Sequence, residues 1–344
     1  TVRLCRTVHG PVQERVGNVA YARRYATWGQ EIGTLTALAA VDTAANIAQV
    51  NQAISQATWN ENLMAADDRG NIGYWHPGLL PIRPKGWDER LPYPGTGQAE
   101  WQGFLPVAQR PHVIDPRQHW LTNWNTLPSQ GWTTGNDPAS ERVGGPWFRA
   151  GWLNILARRL VRHPSFDGMD TLIYEAGTIA QQRPLATADL KLALRGATGG
   201  AAVVLRTILA WNGSYAVQDS AGTVDPGVAA WQTFKDKLQA IALAPLGAAG
   251  QLIGAGEPNS EHVFDVDIGQ AYALRTEGAP GWRTAAAQTY DALVSKFATS
   301  DPARWRTPRT LVTESALGAE QPPPIPFFDR GTFEEVMELG PPTI

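Results

Sequence analysis

Residues 62–75, NLMAADDRGNIGYW, contain two short apolar runs on either side of the polar sequence DDRGN. Two apolar runs separated by a polar, glycine-containing segment are typical of a β-hairpin. The stretch therefore predicts an antiparallel pair of strands. Asp67 and Asp68 in the predicted turn offer carboxylates to a cation, but Arg69 follows them, and we interpret this group as a solvated turn.

The segments on both sides of this hairpin differ from it and from each other. Residues 34–57 are rich in alanine, with apolar residues at helical spacing, and predict one or two helices. Residues 1–26 are interpreted as extended, with a turn at Gly10 and Pro11. Residues 77–118 are rich in proline and glycine, and an irregular stretch of this length inside a compact domain is usually functional or packed as a covering layer.

Tryptophan is unusually frequent, with 14 in 344 residues, beside 34 glycines and 26 prolines. A segment this aromatic is not expected to be disordered, so its loops should pack against a core. The tryptophans of the irregular region are Trp75, Trp87, Trp101, Trp120, Trp124, Trp132 and Trp147.

Residues 120–128, WLTNWNTLP, place two asparagines on either side of a tryptophan. The stretch predicts a strand in which Asn123 and Asn125 point to the same face, because alternate residues of a strand share a face. An asparagine amide is a good hydrogen-bond donor with no useful pKa. That face is therefore either structural or directed at a group that gains negative charge.

The pattern becomes helical from about Pro146. Residues 148–163, FRAGWLNILARRLVRH, predict an amphipathic helix whose arginines lie toward the C-terminal end, where they suit the helix dipole. Residues 320–328 predict an extended spacer and residues 329–344 a final strand. Strands, a covering loop, helices and a final strand in this order favour an α+β fold over alternating βαβ units. Further helical patterns lie at 169–180, 186–196, 201–211, 228–243 and 283–297.

Composition excludes several classes of protein and site. The 29 basic and 32 acidic residues are spread evenly and give a net charge of −3, which argues against nucleic acid as a partner. Cys5 is the only cysteine, so an internal disulfide and a cysteine-rich zinc site are excluded. No apolar run approaches the length of a membrane span. The sequence has no nucleophile elbow, phosphate loop, zinc-protease motif or dinucleotide fingerprint, and its histidines lack metal-ligand spacing.

Eight motifs occur along the chain in a fixed order. The four long ones are RTVHGPV (6–12), NLMAADDRGNIGYWHPGLLPIRP (62–84), RLPYPGTGQAEWQGFLP (90–106) and LTNWNTLP (121–128). The shorter ones are GGPWFRA (144–150), LAWNG (209–213), RWRTPRTL (304–311) and DRGTF (329–333). Together they resemble the β-chain of the penicillin acylase family of N-terminal nucleophile hydrolases.

The resemblance implies a linear-amide hydrolase that needs no cofactor for catalysis. Its nucleophile is a serine exposed at the β-chain N-terminus by autoproteolysis, and the α-amine of that serine is the base, with a pKa near 8. Attack on the amide carbonyl creates an oxyanion that needs preorganised donors. The second asparagine of the Asn-Trp-Asn motif matches the family's side-chain donor, which is Asn125 in this sequence. Asn123 is interpreted as structural, bonding the backbone within its strand, and the alternative for Asn125 is a similar structural role.

Two further sites follow from the same resemblance. Family members keep an arginine near the active site just after a glycine pair. Arg149 matches that position best, and Arg142 is the competing assignment. The alternative for Arg149 is a structural role in a surface ion pair that contributes little stability. A structural calcium is implied, with Glu89 and Asp137 as the nearest matches to its ligands; calcium accepts such mixed carbonyl and carboxylate oxygens.

The position of the motifs along the chain departs from the family pattern. The nucleophilic serine, the backbone oxyanion donor and most of the acyl pocket precede the RTVHGPV motif in the family, yet here that motif begins at Arg6. We therefore expect an internal portion of a β-chain, whose partners are a companion α-chain and a nucleophile-bearing β segment. Thr1 as a substitute nucleophile lies in the wrong place for the family. Sheet edges left without their neighbours favour aggregation, so we expect the segment not to be stable alone.

The fold implied by the resemblance is part of a four-layer αββα sandwich with an added helical lobe. Residues 1–145 would form part of the sandwich with long covering loops, 146–300 a mainly helical lobe, and 301–344 the return to the sandwich. The expected substrate is a small-molecule acyl amide in antibiotic or acyl-amide metabolism, with penicillins, acyl-homoserine lactones and lipopeptides all open. The expected location is periplasmic or secreted. The alternatives are a non-catalytic ligand-binding relative or inactive fragment, and an interaction subunit of unrelated fold.

Overall fold

The chain divides into two compact units, one of Thr1–Gly145 with Glu338–Ile344 and one of Pro146–Met337. Helices and antiparallel sheets are both present, which confirms the α+β class. The computed structural model describes residues 4–87, 91–124, 126–129, 132, 147–248, 250–251, 268–309, 311–312, 325–326 and 336–339.

The first unit begins with a three-stranded antiparallel sheet of β1 (Arg6–Thr7), β2 (Gly10–Val16) and β3 (Val19–Ala22). The turn predicted at Gly10 and Pro11 is wrong in position, because these residues pair with β1 and open β2. Gly10 has a φ of +134°, and a Cβ there would lie 2.0 Å from the carbonyl oxygen of Arg23. The glycine therefore serves the close approach of two main chains within the sheet.

Two helices follow, α1 (Gly33–Asp42) and α2 (Ile47–Ile54), which confirms the prediction for residues 34–57. The side chain of Asn46 caps α2 by accepting a hydrogen bond of 3.0 Å from the amide of Gln49. Trp75 lies against the helix and donates from Nε1 to Asn51 Oδ1 over 2.7 Å. The buried apolar core of this unit is Ala37, Ile47, Val50, Ile54, Ala57 and Trp75.

The predicted hairpin is confirmed and is larger than expected. Strands β4 (Leu63–Ala66) and β5 (Ile72–Trp75) pair around the DDRGN turn, with Met64 opposite Tyr74. A third strand, β6 (His112–Ile114), pairs with the other side of β5. The sequence did not reveal β6, because it has three residues and prolines lie on both sides of it.

The proline- and glycine-rich stretch between β5 and β6 is packed, as predicted. Leu80 is fully buried, and its carbonyl accepts a hydrogen bond of 2.8 Å from the amide of Leu105. Pro81 and Phe104 form an isolated antiparallel bridge, and a single 3-10 turn spans Val107–Gln109. Main-chain pairing within the stretch therefore replaces regular secondary structure.

The strand predicted for residues 120–128 is wrong for the part that the structure describes, since residues 120–124 and 126–128 belong to no strand. Asn123 instead donates from Nδ2 to Thr126 Oγ1 over 3.1 Å. Short polar side chains that bond locally compete with ladder formation. Asn123 therefore does not lie on the face of a strand, and the same expectation for Asn125 falls outside the described residues.

The second unit is helical, and the six predicted helices of residues 148–297 are confirmed. Two others were missed: a single turn of four residues, Gln182–Leu185, and a helix of nine residues, Ile268–Thr276. None of the described helices is both long and apolar enough to cross a membrane. The helices are α3 (Trp147–Leu160), α4 (Phe166–Thr178), α5 (Gln182–Leu185), α6 (Thr187–Leu194), α7 (Gly199–Ala210), α8 (Pro226–Leu243), α9 (Ile268–Thr276) and α10 (Ala279–Phe297).

The core of this unit is aromatic and lies between α7, α8 and α10. Phe234 stacks on Trp231 at 5.9 Å between ring centroids and packs on Trp282 at 5.4 Å. Trp305, after α10, packs edge to face on Tyr290 at 6.0 Å. Each such side chain buries about 150–250 Å², so a few of them supply much of the apolar contact area.

Two short strands, β7 (Leu311–Val312) and β8 (Ile325–Pro326), pair in antiparallel fashion near the end of the second unit. β8 lies within the predicted extended spacer. The final strand predicted for residues 329–344 falls mostly outside the described residues. Within that range the structure describes residues 336–339, which form no regular element.

Candidate active site

The residues chosen from the sequence fall largely outside the part of the chain that the structure describes. Asn125, Glu89 and Asp137 are outside it, as is the competing Arg142. Arg149 lies near the start of α3, and its side chain is not among those described. What the structure describes is the surroundings of the Asn-Trp-Asn motif on both sides of residue 125.

Asn62, just before β4, connects the Asn-Trp-Asn segment to the β4–β5 hairpin. Its amide donates from Nδ2 to the main-chain carbonyl of Thr126 over 2.8 Å. Its Oδ1 accepts from the hydroxyl of Tyr74 at 2.6 Å and lies 3.0 Å from Nδ1 of His76. The amide oxygen of Asn62 therefore bonds the hairpin, and its amide nitrogen bonds the Asn-Trp-Asn segment.

The chemistry of the partners fixes the orientation of the Asn62 amide. The Thr126 carbonyl can only accept, so the amide nitrogen must face it. Asn62 Oδ1 can only accept, so Nδ1 of His76 carries the proton in this contact. Burial raises the pKa of the Tyr74 phenol, which keeps its hydroxyl a donor at neutral pH. The arrangement therefore requires a proton on Nδ1 of His76 and on the hydroxyl of Tyr74.

The hydrogen-bond network of Asn62, Tyr74, His76 and Thr126 is buried at Tyr74 and His76 and half-buried at Thr126. Tyr74 and His76 are 9% and 4% exposed. The ring of His76 also meets the indole of Trp132 edge to face, at 6.2 Å between centroids. Hydrogen bonds in such a water-poor place are stronger than on the surface, so they hold their partners more firmly.

A cavity of about 420 Å³ lies between α2, the end of β5 and the residues that lead into β6. Trp75, His76 and Arg110 all line it. Arg110 donates from Nη1 to the carbonyl of Ser55 over 3.0 Å, and burial lowers the pKa of its guanidinium, which remains charged at neutral pH. An apolar cavity with one guanidinium suits an organic molecule that carries an acceptor or an anionic group. Sequence reasoning missed it, since its walls come from three separated segments.

A second cluster of charged side chains joins two of the quoted motifs. His9, of RTVHGPV, lies with Nε2 2.5 Å from Glu100 Oε1, and Glu100 belongs to RLPYPGTGQAEWQGFLP. Arg24 pairs with the other Glu100 oxygen at 2.6 Å and covers the Trp101 ring at 4.4 Å from its centroid. The hydrogen bonds from His9 and then Arg24 lower the pKa of Glu100. Arg24 and Glu100 are 40% and 43% exposed, so their ion pair adds little stability. The cluster therefore connects the two motifs and shows no feature of a reactive centre.

No three metal-binding side chains of the described residues lie close enough together to hold an ion. The interpretation of Asp67 and Asp68 as a turn is supported by the contacts of Asp67. Its carboxylate accepts hydrogen bonds from Asn71, from the amide of Arg69 and from the amide of Ile47. These donors occupy the oxygens that a cation would use.

The family model described as penicillin amidase matches residues 1–335. Penicillin G acylase of Escherichia coli is 30% identical over 261 residues, which are 72% of this chain and 30% of that protein. Penicillin acylase 2 proenzyme of Pseudomonas sp. (strain SE83) is 28% identical over 216 residues, which are 60% of this chain and 26% of that protein. The chain thus spans less than a third of the length of these curated relatives.

The fold is similar to that of a solved structure, the thermostable penicillin G acylase from Alcaligenes faecalis in orthorhombic form. The TM-score is 0.76, with 22% sequence identity, and the match covers 92% of this chain and 61% of that chain. At this identity the likeness concerns the fold.

Proposed function

This chain belongs to the penicillin amidase family, and on that premise we propose that it is part of an amide hydrolase of the penicillin acylase type. The observation that carries the proposal is the family match over residues 1–335, which includes the Asn-Trp-Asn motif. Two of the similar proteins bear the name penicillin G acylase, which indicates a small-molecule acyl amide as the class of substrate.

The proposed reaction is acyl transfer to the hydroxyl of an N-terminal serine, followed by hydrolysis. The serine oxygen bonds to the amide carbonyl carbon while its proton passes to the serine's own α-amine. The carbon–nitrogen bond then breaks, and the leaving amine takes that proton. Water attacks the resulting ester in the same manner and releases the carboxylic acid.

Asn125 is proposed as a donor to the oxyanion that forms in each attack, and Arg149 as a residue that orients substrate near it. The described contacts that support a functional role for the motif are those on either side of residue 125. Thr126 is bonded to Asn62 and to Asn123, so the chain that carries the donor is held by side chains from two directions. A preorganised donor stabilises developing charge more than a mobile one.

The remaining parts of the proposal concern the whole protein. The nucleophilic serine would lie on a further segment of the β-chain, beside a companion α-chain produced from a proenzyme, as the name of one relative indicates for that relative. The four-layer αββα sandwich and a periplasmic or secreted location belong to the same proposal. A structural calcium at Glu89 and Asp137 also stays a prediction, and native mass spectrometry that finds no bound calcium would contradict it.

The test uses the complete protein purified after maturation. N-terminal sequencing and intact mass should reveal a companion polypeptide that begins with serine, and 4-nitroanilides of aromatic and aliphatic acids provide the first substrates. A single polypeptide that binds such compounds but hydrolyses none would instead support a non-catalytic relative.

Substitution of the proposed donor tests its role directly. Asn125→Ala should lower kcat by about a hundred- to a thousandfold, the usual result of losing one oxyanion donor. The matched control is Asn212→Ala, since Asn212 is an exposed asparagine of the helical unit that accepts a hydrogen bond from the amide of Ser214. Unchanged kcat in Asn125→Ala, with the control also unchanged, would exclude the donor role.

A further inference from the structure

We propose that Asn62 is a positioning residue for catalysis, which holds the Asn-Trp-Asn segment so that Asn125 meets the oxyanion. The inference rests on the proposed function, and it assigns to a residue outside the motif the task of fixing the motif in place. Asn62 would not touch the substrate, and it would act only through the segment that it binds.

The first argument is where the contact lies along the chain. Asn62 Nδ2 bonds the carbonyl of Thr126, the residue that follows Asn125, over 2.8 Å. Asn123 Nδ2 bonds Thr126 Oγ1 over 3.1 Å, so a second side chain also holds Thr126. The two contacts therefore fix the residue that directly follows the proposed donor in the chain.

The second argument is that the tie is rigid at its other end. Tyr74, on β5, and His76, directly after it, both hold Asn62 Oδ1, and both are buried. Strand β5 is the central strand of its sheet and is paired on both sides. Thr126, which belongs to no strand, is thereby connected to an element whose position is fixed by pairing on both sides.

The third argument is that both functions of the amide are needed. A residue that only filled space or only accepted a hydrogen bond would not connect the hairpin to the Thr126 carbonyl. Aspartate has the same shape and keeps the acceptor for Tyr74 and His76, but it presents an oxygen to the carbonyl of Thr126 where a donor is required. Asn62→Asp therefore cuts the tie at the segment and leaves the hairpin side bonded.

The experiment compares Asn62→Asp, Asn125→Ala and the double variant in the mature complete protein, with the best 4-nitroanilide as substrate. We expect Asn62→Asp to lower kcat about tenfold or more with little change in KM, because a misplaced catalytic group affects the transition state more than ground-state binding. The double variant should have the same kcat as Asn125→Ala alone, because the side chain that Asn62 positions is already absent. The control, Asn212→Asp, keeps its acceptor role and should retain wild-type kcat.

A second variant guards against failure of Asn62→Asp to fold or mature. Tyr74→Phe removes one hydroxyl from the network and keeps the ring, so we expect a fall in kcat of about two- to fivefold, again absent in the Asn125→Ala background. Melting temperature and the yield of mature protein report the structural effect of each variant separately.

The outcomes distinguish the inference from the function on which it rests. Slow Asn125→Ala with unchanged kcat in both Asn62→Asp and Tyr74→Phe overturns the positioning role alone. Losses that multiply in the double variants show that the network acts independently of Asn125, and they also overturn it. Unchanged kcat in Asn125→Ala overturns the donor role and, with it, the positioning role.

Discussion

At the scale of single residues, the tip of the β4–β5 hairpin shows how one carboxylate can stabilise a turn. The side chain of Asn71, then the amides of Asn71, Ile47 and Arg69, hydrogen-bond Asp67 and lower its pKa to about 2. The amide of Ile47 belongs to the start of α2, so this side chain also joins the helix to the hairpin.

The pKa of Asp67 predicts an acid-sensitive contribution to stability. A carboxylate with a lowered folded-state pKa stabilises fully above its unfolded value of 3.8 and loses that effect as pH falls toward about 2. Asp67→Asn should therefore lower the melting temperature of the complete protein at pH 7, and the difference from wild type should shrink between pH 4 and pH 2. Calorimetry across that range provides the measurement. A difference that stays constant with pH would contradict the ionic origin of the effect.

Which residues the sequence could identify depends on the kind of signal each one carries. Asn125 and Arg149 were chosen because short motifs resemble a family, whereas the proposed role of Asn62 depends on a contact with a residue 64 positions away. No local pattern records such a contact. The DDRGN turn was predictable because Asp67, Arg69 and Asn71, which form its local hydrogen bonds, lie within five residues of each other.

At the scale of elements, a buried arginine explains how α7 ends. The last four carbonyls of a helix have no partner within it. Arg183, 6% exposed, donates from Nε to the carbonyl of Ile208 over 2.8 Å and from Nη2 to those of Leu209 and Trp211, each at 3.1 Å. Burial lowers the pKa of its guanidinium, which stays charged and suits the negative end of the helix dipole.

Removal of this cap predicts a large loss of stability. Arg183→Met should lower the free energy of unfolding by about 3 kcal/mol, because several buried carbonyls lose their donors together. Urea unfolding followed by tryptophan fluorescence reports it, since the core beside α7 contains buried tryptophans. The control is Arg195→Met, at an exposed arginine after α6, which should change stability by less than about 0.5 kcal/mol. Equal losses of unfolding free energy in the two variants would show that the hydrogen bonds from Arg183 to the end of α7 do not stabilise the fold.

Helical elements were predicted better than strands, for a physical reason. A helix of ten or more residues repeats its apolar pattern several times, so α3, α7, α8 and α10 were predicted from sequence. The strand β6 has three residues, and α5 has four, so neither repeats any pattern. The alternation at residues 120–128 was misleading because local side-chain bonding, between Asn123 and Thr126, replaced strand pairing.

At the scale of the whole molecule, the two units differ in how much apolar surface they bury. The helical unit has a continuous core that includes Trp211, Trp231, Trp282 and Trp305. The core cluster of the first unit is far smaller. Its first sheet and the β1–β2 turn expose apolar side chains: Val8, in the turn, is 94% exposed, and Val16 and Val19 are 56% and 54% exposed. Exposed apolar residues on sheet edges and turns are a liability unless other polypeptide covers them.

This contrast predicts the order in which the chain of residues 1–344 is degraded when it is produced alone. Trypsin should cut first at exposed arginines in or next to the first sheet, such as Arg15 of β2 and Arg23 directly after β3. A fragment containing α6, α7, α8 and α10 should persist. Cleavage follows local opening, which costs least where few apolar contacts are lost. Timed digestion with mass spectrometry of the fragments gives the order of cuts. In the complete protein the first sheet should be cut more slowly relative to the helical unit, because further polypeptide would cover its apolar residues. Early cuts within α7 or α8, or equal rates in the two proteins, would contradict the view that the first unit depends on the rest of the protein.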